Sequence, residues 1–255
     1  MKAIVLAGGR NTGPLKKTEA SSYEAGITIN NRPMVEYIID VLAAMVEVET
    51  VLVVIPPGVI DPEKWSKVKT VLPGQRMMDS LIQAFEHVQH EDHVLVVASD
   101  VPLIKQEALR DFLASCQRRP ADAYYSFVPK TAILARYPTT KRTYVRLQEG
   151  TVTGGNVFLI RPQVILKYRD RIEQAFALRK HPLQLSRLLG FKFLIKLLAG
   201  RLEVAEIEAR VEEILGMKGA GVLSLYPEIG VDVDKPSDLA LARALLTEEE
   251  KPQSI

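Results

Sequence analysis

The sequence holds a single cysteine, Cys116, among 255 residues. One thiol excludes an internal disulfide and a cysteine-based metal cluster. With no histidine pattern beside it, Cys116 reads as a small core residue of a helix rather than a nucleophile. Excess charge is also scarce: 33 Lys and Arg stand against 31 Asp and Glu, a net charge of +2. A chain that neutralises many phosphates carries a concentrated basic excess, so a small molecule, not nucleic acid, is the expected partner. No apolar run is long enough to span a bilayer, and no charged and apolar signal segment precedes the first strand, so a cytoplasmic location is expected. Internal repeats and low-complexity segments are missing. Two phosphate-binding fingerprints are missing too. There is no G-x-G-x-x-G, and Gly8-x4-Gly13 begins like a P-loop but has Pro14-Leu15 where that motif needs Lys and Ser or Thr.

Against these absences stands an ordinary globular composition, 47% hydrophobic and 25% charged, in a length that suits one large α/β domain or a domain with an insertion. The chain opens MKAIVLAGGR: small and apolar residues running straight into Gly8 and Gly9 read as a buried parallel strand that delivers bare backbone to a ligand. Leu6, Ala7, Gly8 and Gly9 are candidate phosphate-facing backbone, and Arg10, Lys16 and Lys17 bring positive charge to the same loop. A triphosphate suits this chemistry, and a plain tight turn is the alternative.

Strand and helix signals alternate through the first two thirds, which predicts a parallel or mixed sheet covered on both faces by helices. Strands are expected at 50–55, 68–72, 93–98, 124–128, 143–147, 157–160 and 222–225, and a last one ends at 229–234. Helices are expected at 33–44, 76–88, 105–118 and 236–246, with a basic, proline-containing link between 128 and 143. Residues 162–218 read as several helices broken near His181-Pro182, Gly190 and Gly200. Within them Leu183 to Leu202 is apolar and basic. Such a stretch could lie on a membrane surface, but leucine at helical spacing is ordinary core, so packing on the sheet is expected and a membrane is not. Residues 247–255 read as a frayed tail.

Asp100 follows a strand of apolar residues, which puts its carboxylate at the carboxyl edge of the sheet, where open α/β folds bind ligands. Capping of the next turn is its alternative role. Asp232 and Asp234 are two apart on the expected last strand, so both carboxylates would point one way and suit a hard cation. Capping of the final helix is the alternative for Asp234.

The opening strand and paired glycines resemble the LxGGxGxR start of the GT-A type nucleotidyltransferases, the MobA-like NTP transferase family that includes molybdenum cofactor guanylyltransferase and the sugar and methylerythritol cytidylyltransferases. Residues 27–39, ITINNRPMVEYII, are similar to that family's approach to its first long helix. Ser99-Asp100-Val101-Pro102-Leu103 looks like its (S/C/G)-D-x-P-(F/L) segment, and Val231 to Leu239 like its (V/I)-D-(I/V)-D-T-P-E-D-L ending. Two departures stand out. Asn11-Thr12-Gly13 does not reproduce the family's Gly-x-Arg, and Glu24 stands where its signature Lys is expected. Beside a triphosphate, Glu24 is expected to point away or to reach the phosphates only through Mg²⁺.

The resemblance implies a GT-A or Rossmann-like three-layer α/β sandwich with a mostly parallel mixed sheet, expected in residues 1–161 and 219–246; the helical insertion expected at 162–218, read from its leucine-rich pattern, lies outside the resemblance. The resemblance also implies Mg²⁺ held by Asp100 with Asp234 or Asp232. It implies a nucleoside held by Arg76, Ser80 and Ser99, and an acceptor facing Gly155 and Asn156. The basic residues Lys141 and Arg142 would suit a phosphate on that acceptor. The implied activity moves an NMP group from an NTP to a small phosphorylated acceptor and releases pyrophosphate. A glycosyltransferase using a sugar nucleotide and a non-catalytic nucleotide sensor remain as alternatives. The base, the acceptor and the oligomeric state, a homo-oligomer included, stay open.

Overall fold

The computed structural model describes residues 1–178 and 190–249. Three strands, β1 (Lys2–Leu6), β4 (Thr50–Val54) and β6 (Val94–Ala98), form the parallel centre of the sheet. Their near-continuous Val, Ile and Leu content follows from burial on both faces. Ala3, Val5, Val51, Val53, Leu95 and Val97 enter one core, and Ile4, Leu52, Val54, Val94 and Val96 enter the other.

The smaller elements before the centre are β2 (Thr28–Ile29) and β3 (Arg32–Pro33), a hairpin leading into helix α1 (Met34–Ala44). Strand β5 (Val68–Val71) is one edge of the sheet and precedes α2 (Met77–Glu86). After β6 come α3 (Gln106–Cys116), β7 (Ala123–Pro129), α4 (Lys130–Arg136), β8 (Val145–Leu147) and β9 (Gly150–Ile160). Four helices follow, α5 (Pro162–Lys167), α6 (Arg169–Leu178), α7 (Phe191–Leu198) and α8 (Val204–Leu215), then β10 (Gly219–Leu223) and α9 (Pro236–Glu249).

The sheet runs β10-β7-β9-β6-β1-β4-β5, with β8 paired to β9. Among the described residues only β9 and β8 interrupt the parallel order: β9 is antiparallel to both β6 and β7, and β10 is again parallel to β7. The strand sequence reverses direction of travel between β1 and β6, the position at which open α/β sheets leave a crevice for a ligand. Helices α1, α3 and α9 cover one face, and α2, α5 and α6 cover the other.

Several expected elements shift. The link between β7 and β8 contains α4, and the strand expected at 157–160 starts already at Gly150, so that Gly154-Gly155-Asn156 lies inside it. Residues 229–234 are not a strand: a 3₁₀ turn at Pro227–Gly230 gives way to irregular backbone. There the Val233 N–H donates to the Asp100 carbonyl at 2.8 Å instead of joining a ladder. The expected break at His181-Pro182 and Leu183 to Leu189 lie outside the described residues, as do 250–255 of the tail, whereas 247–249 continue α9.

At the β10 edge the backbone of Gly221 is already occupied. Its N–H donates to Glu208 Oε1 at 2.7 Å, and its carbonyl accepts from Arg119 Nη2 at 3.1 Å. Arg119 and Glu208 also pair with each other.

Candidate active site

The chain leaves β1 through Ala7, whose N–H donates to the Val54 carbonyl at 2.9 Å and whose side chain is buried. Ala7 therefore anchors the loop, and Leu6, Gly8, Gly9 and Arg10 line a cavity of about 1370 Å³. A Cβ on Gly8 would come within 2.6 Å of Pro73 Cβ, so only glycine lets the loops after β1 and β5 meet here. Arg10 lies over the Tyr23 ring, 5.6 Å from its centroid. Buried Asn11 ties the loop together by donating to the Ser21 carbonyl at 3.0 Å. Lys16 and Lys17, on a short 3₁₀ turn at Pro14–Lys17, are exposed and are not among the residues lining the cavity.

Glu24 does line it. The Glu24 N–H donates to the Gly9 carbonyl at 3.0 Å, and Glu24 Oε2 sits 3.3 Å from where a Gly9 Cβ would be. Burial raises this carboxyl above its ordinary range.

The second wall is the loop from Pro73 to Ser80. Ser80 Oγ accepts the Gly74 N–H at 3.0 Å, and Arg76 donates to Asp79 at 2.7 and 3.1 Å while its own N–H is accepted by the same carboxylate. These contacts cap the first turn of α2. Arg76 also lies 3.7 Å from Glu173 of α6. Both Ser80 and Arg76 line the cavity, and Ser80 Oγ and the Nε and Nη2 atoms of Arg76 help to build its wall.

The third wall is Ser99 and Asp100 at the end of β6, and the fourth is Asn156 and Phe158 of β9. Asn156 donates to the Ile229 carbonyl at 3.2 Å. Gly155 is buried and does not line the cavity: a Cβ there would come within 2.7 Å of Ile229 Cγ2 and closer still to Ser126 Oγ. It is a close-approach point between β9 and the turn at 227–230. Lys141 is exposed, and its carbonyl accepts from Lys235 Nζ at 2.9 Å.

Asp100, Asp232 and Asp234 converge, each offering a carboxylate oxygen within 4.8 Å of the others. No strand aligns Asp232 with Asp234, contrary to the sequence expectation. They are brought to Asp100 by irregular backbone and by Arg142, whose guanidinium pairs with the Asp232 carboxylate, donates to the Asp232 carbonyl, and lies 3.7 Å from Asp238. The sequence assigns Arg142 to the acceptor; the structure places it here, with its side chain only 6% exposed.

Asp238, in the first turn of α9, is buried and accepts the Asp234 N–H at 3.4 Å. From the sequence, Asp238 is only an acid in the first turn of the last helix that suits the helix dipole. The Pro-Ser-Asp start of the helix marks it, but nothing local to it points to Arg142.

Burial, then repulsion from Asp232 and Asp234, raises the Asp100 carboxyl to about 7. Burial and Asp232 raise Asp234 to about 6. Asp100 Oδ1 is buried with no hydrogen-bond partner. Clustered carboxylates with an orphaned buried oxygen are a donor set of the kind that suits a hard cation. Their spread is comparable to the ~4.2 Å between opposite ligands of an octahedral Mg²⁺. The residues fit the ion.

A glycine loop and an acid cluster at the switch point of a mostly parallel sheet define a nucleotide-handling α/β enzyme. The chain belongs to the MobA-like NTP transferase domain family, whose model matches residues 3–200. It is thus an enzyme of the nucleotidyltransferase class. A hypothetical transferase from Thermus thermophilus is 39% identical with a TM-score of 0.80, over 94% of this chain and 100% of that one. The 2-C-methyl-D-erythritol 4-phosphate cytidylyltransferase of Thermus thermophilus has a TM-score of 0.56 over 97% of this chain and 100% of that one. At 18% identity that likeness concerns the fold alone. The bifunctional protein GlmU of Alcanivorax borkumensis is 27% identical over 126 residues, 45% of this chain and 25% of that protein's length.

Proposed function

We propose that this enzyme transfers an NMP group from an NTP to a small phosphorylated acceptor, with Mg²⁺, and releases pyrophosphate. The observation that carries the reading is the convergence of Asp100, Asp232 and Asp234 beside the cavity that Gly8, Gly9 and Arg10 line. An acceptor phosphate oxygen attacks the α-phosphorus. The new P–O bond forms as the bond to the β-phosphate oxygen breaks, and pyrophosphate carries off that electron pair.

The chain contributes positioning and charge. Gly8 and Gly9 let phosphate approach the backbone, Arg10 faces the phosphates, and Lys16 and Lys17 add positive potential from the exposed turn beside them. Asp100, Asp232 and Asp234 would hold Mg²⁺, which supplies charge neutralisation on the phosphates. Ser99, Ser80 and Arg76 shape the nucleoside wall. Asn156 and Lys141 face the acceptor, with Gly155 and Arg142 fixing the backbone around it. Direct attack by the acceptor requires no protein nucleophile, and Cys116 is buried in the core with its thiol pushed up to about 12 by burial.

The test is incubation with each NTP, Mg²⁺ and a panel of phosphorylated acceptors, reading pyrophosphate. One NTP and acceptor pair should give stoichiometric release. Nucleoside diphosphate release from a sugar nucleotide would replace this reading with a glycosyltransferase. Glu24 beside Gly9 favours a second reading, nucleotide binding without turnover, because its charge opposes the phosphates. Saturable NTP binding with no pyrophosphate from any pair, tightened by Glu24→Lys, would support that sensor.

A further inference from the structure

Helix α7 presents two different faces. Phe193 and Leu197 pack with Leu147, Val152 and Leu202. On the other face Phe191, Ile195 and Leu198 stand 77%, 50% and 80% exposed. Their spacing of four and three residues makes one continuous exposed apolar stripe. Core packing thus accounts for half of this helix only.

The helix itself carries charge of one sign: residues 190–202 contain Lys192, Lys196 and Arg201 and no Asp or Glu, while Glu203 and Glu206 follow at the start of α8. Of the described basic residues, Lys192 is exposed on the helix beside the stripe, Lys196 is exposed and pairs with Glu206 of α8, and Arg201 is exposed just beyond the helix. No helix among the described residues is long and apolar enough to cross a membrane. A short helix with a bare Phe-Ile-Leu stripe and a basic flank has the composition that lies in a bilayer interface, its apolar side chains among the acyl chains and its ammonium groups at anionic headgroups.

We infer that the exposed face of α7 docks this enzyme on an anionic lipid surface. A protein partner would need an apolar groove ringed by acids. A second copy of the chain would bring a second basic helix against the first. The lipid interface satisfies both the stripe and the charge at once, and anionic headgroups attract each nearby basic residue.

The experiment uses the full chain and vesicles of phosphatidylcholine with about 30% phosphatidylglycerol, set against pure phosphatidylcholine, with co-sedimentation as the readout. Binding is expected to the anionic vesicles alone and to weaken as salt rises. Lys192→Gln should cost about fivefold in partitioning. The triple change Phe191→Ser, Ile195→Ser, Leu198→Ser should cost more than about a hundredfold. Because all three side chains are exposed, the triple variant should keep its circular dichroism and melting temperature. The inference is overturned by absent binding to anionic vesicles, by binding that the triple variant retains, or by a concentration-dependent dimer that the triple variant abolishes. Loss of stability in that variant without lipid would also overturn it, since the stripe would then be covered by the chain itself.

Discussion

Asp100 and the Asp232/Asp234 pair reach one point in space by opposite means. Asp100 is delivered by β6, whose side chains fill cores on both faces of the sheet, so the position of its Cα is fixed by close apolar packing. Asp232 and Asp234 ride on irregular backbone, fixed by the hydrogen bond from Val233 to Asp100 and by the Arg142 guanidinium from ninety residues away in sequence. A carboxylate delivered by a packed strand can lose its charge and stay in place. A carboxylate held by a charge clamp cannot be separated from the clamp.

The largest effect is expected where the clamp is cut. Arg142→Ala leaves buried Asp238 and half-buried Asp232 without their cation, and should lower unfolding free energy by about 3 kcal/mol in urea titration. It should also weaken Mn²⁺ binding followed by paramagnetic relaxation, with partial rescue by Arg142→Lys. An Arg142→Ala protein as stable as the parent would erase the contrast.

Asp100→Asn should keep its melting temperature within a few degrees and lose metal-dependent turnover by on the order of a hundredfold or more. Unfolding on that change would mean that the strand, too, depends on the charge.

Next comes pH. A metal must displace protons from Asp100, at about 7, and Asp234, at about 6. Affinity for Mg²⁺ should therefore fall by roughly tenfold per unit as pH drops from about 7 to about 6, and by up to about a hundredfold per unit below that, where both protons must leave. In metal-free protein the sign is opposite. The folded state holds these protons more tightly than the unfolded chain, so their stabilisation is present below about pH 4 and is lost as pH rises through 6 and 7. Melting with EDTA and with Mg²⁺ should show a larger gain from the ion at pH 8 than at pH 6, and equal gains would count against the cluster as its site.

The smallest effect belongs to the exposed lysines. Lys16→Ala with Lys17→Ala should raise the NTP dissociation constant about tenfold at low salt and much less at high salt, because solvent-exposed charges are screened. A loss that persists at high salt would mean that the turn closes onto the phosphates.

The same contrast explains what can be read from the sequence. Gly8, Gly9, Ser99 and Asp100 follow unbroken apolar strands, and such strands announce both the sheet and its carboxyl edge. Asp232 and Asp234 are visible as acids at the right distance from the C-terminal helix, but their backbone is not, since D-V-D between valines reads as a strand until Val233 is seen bonding to Asp100. Arg142 looks like part of a basic acceptor patch, because nothing in its neighbourhood reveals a partner near residue 232. Glu24 stands out as a misfit that ought to turn away from the phosphates or reach them only through Mg²⁺. The glycine at position 9 leaves it room to stay.

Arg119 and Glu208 give the β10 edge a further property. Leu223 and Leu225, 50% and 70% exposed, would make that strand an inviting template for another chain's backbone. An incoming strand must first evict an ion pair that already holds both the donor and the acceptor of Gly221. Backbone pairing through Gly221 is thereby opposed at the middle of this edge strand.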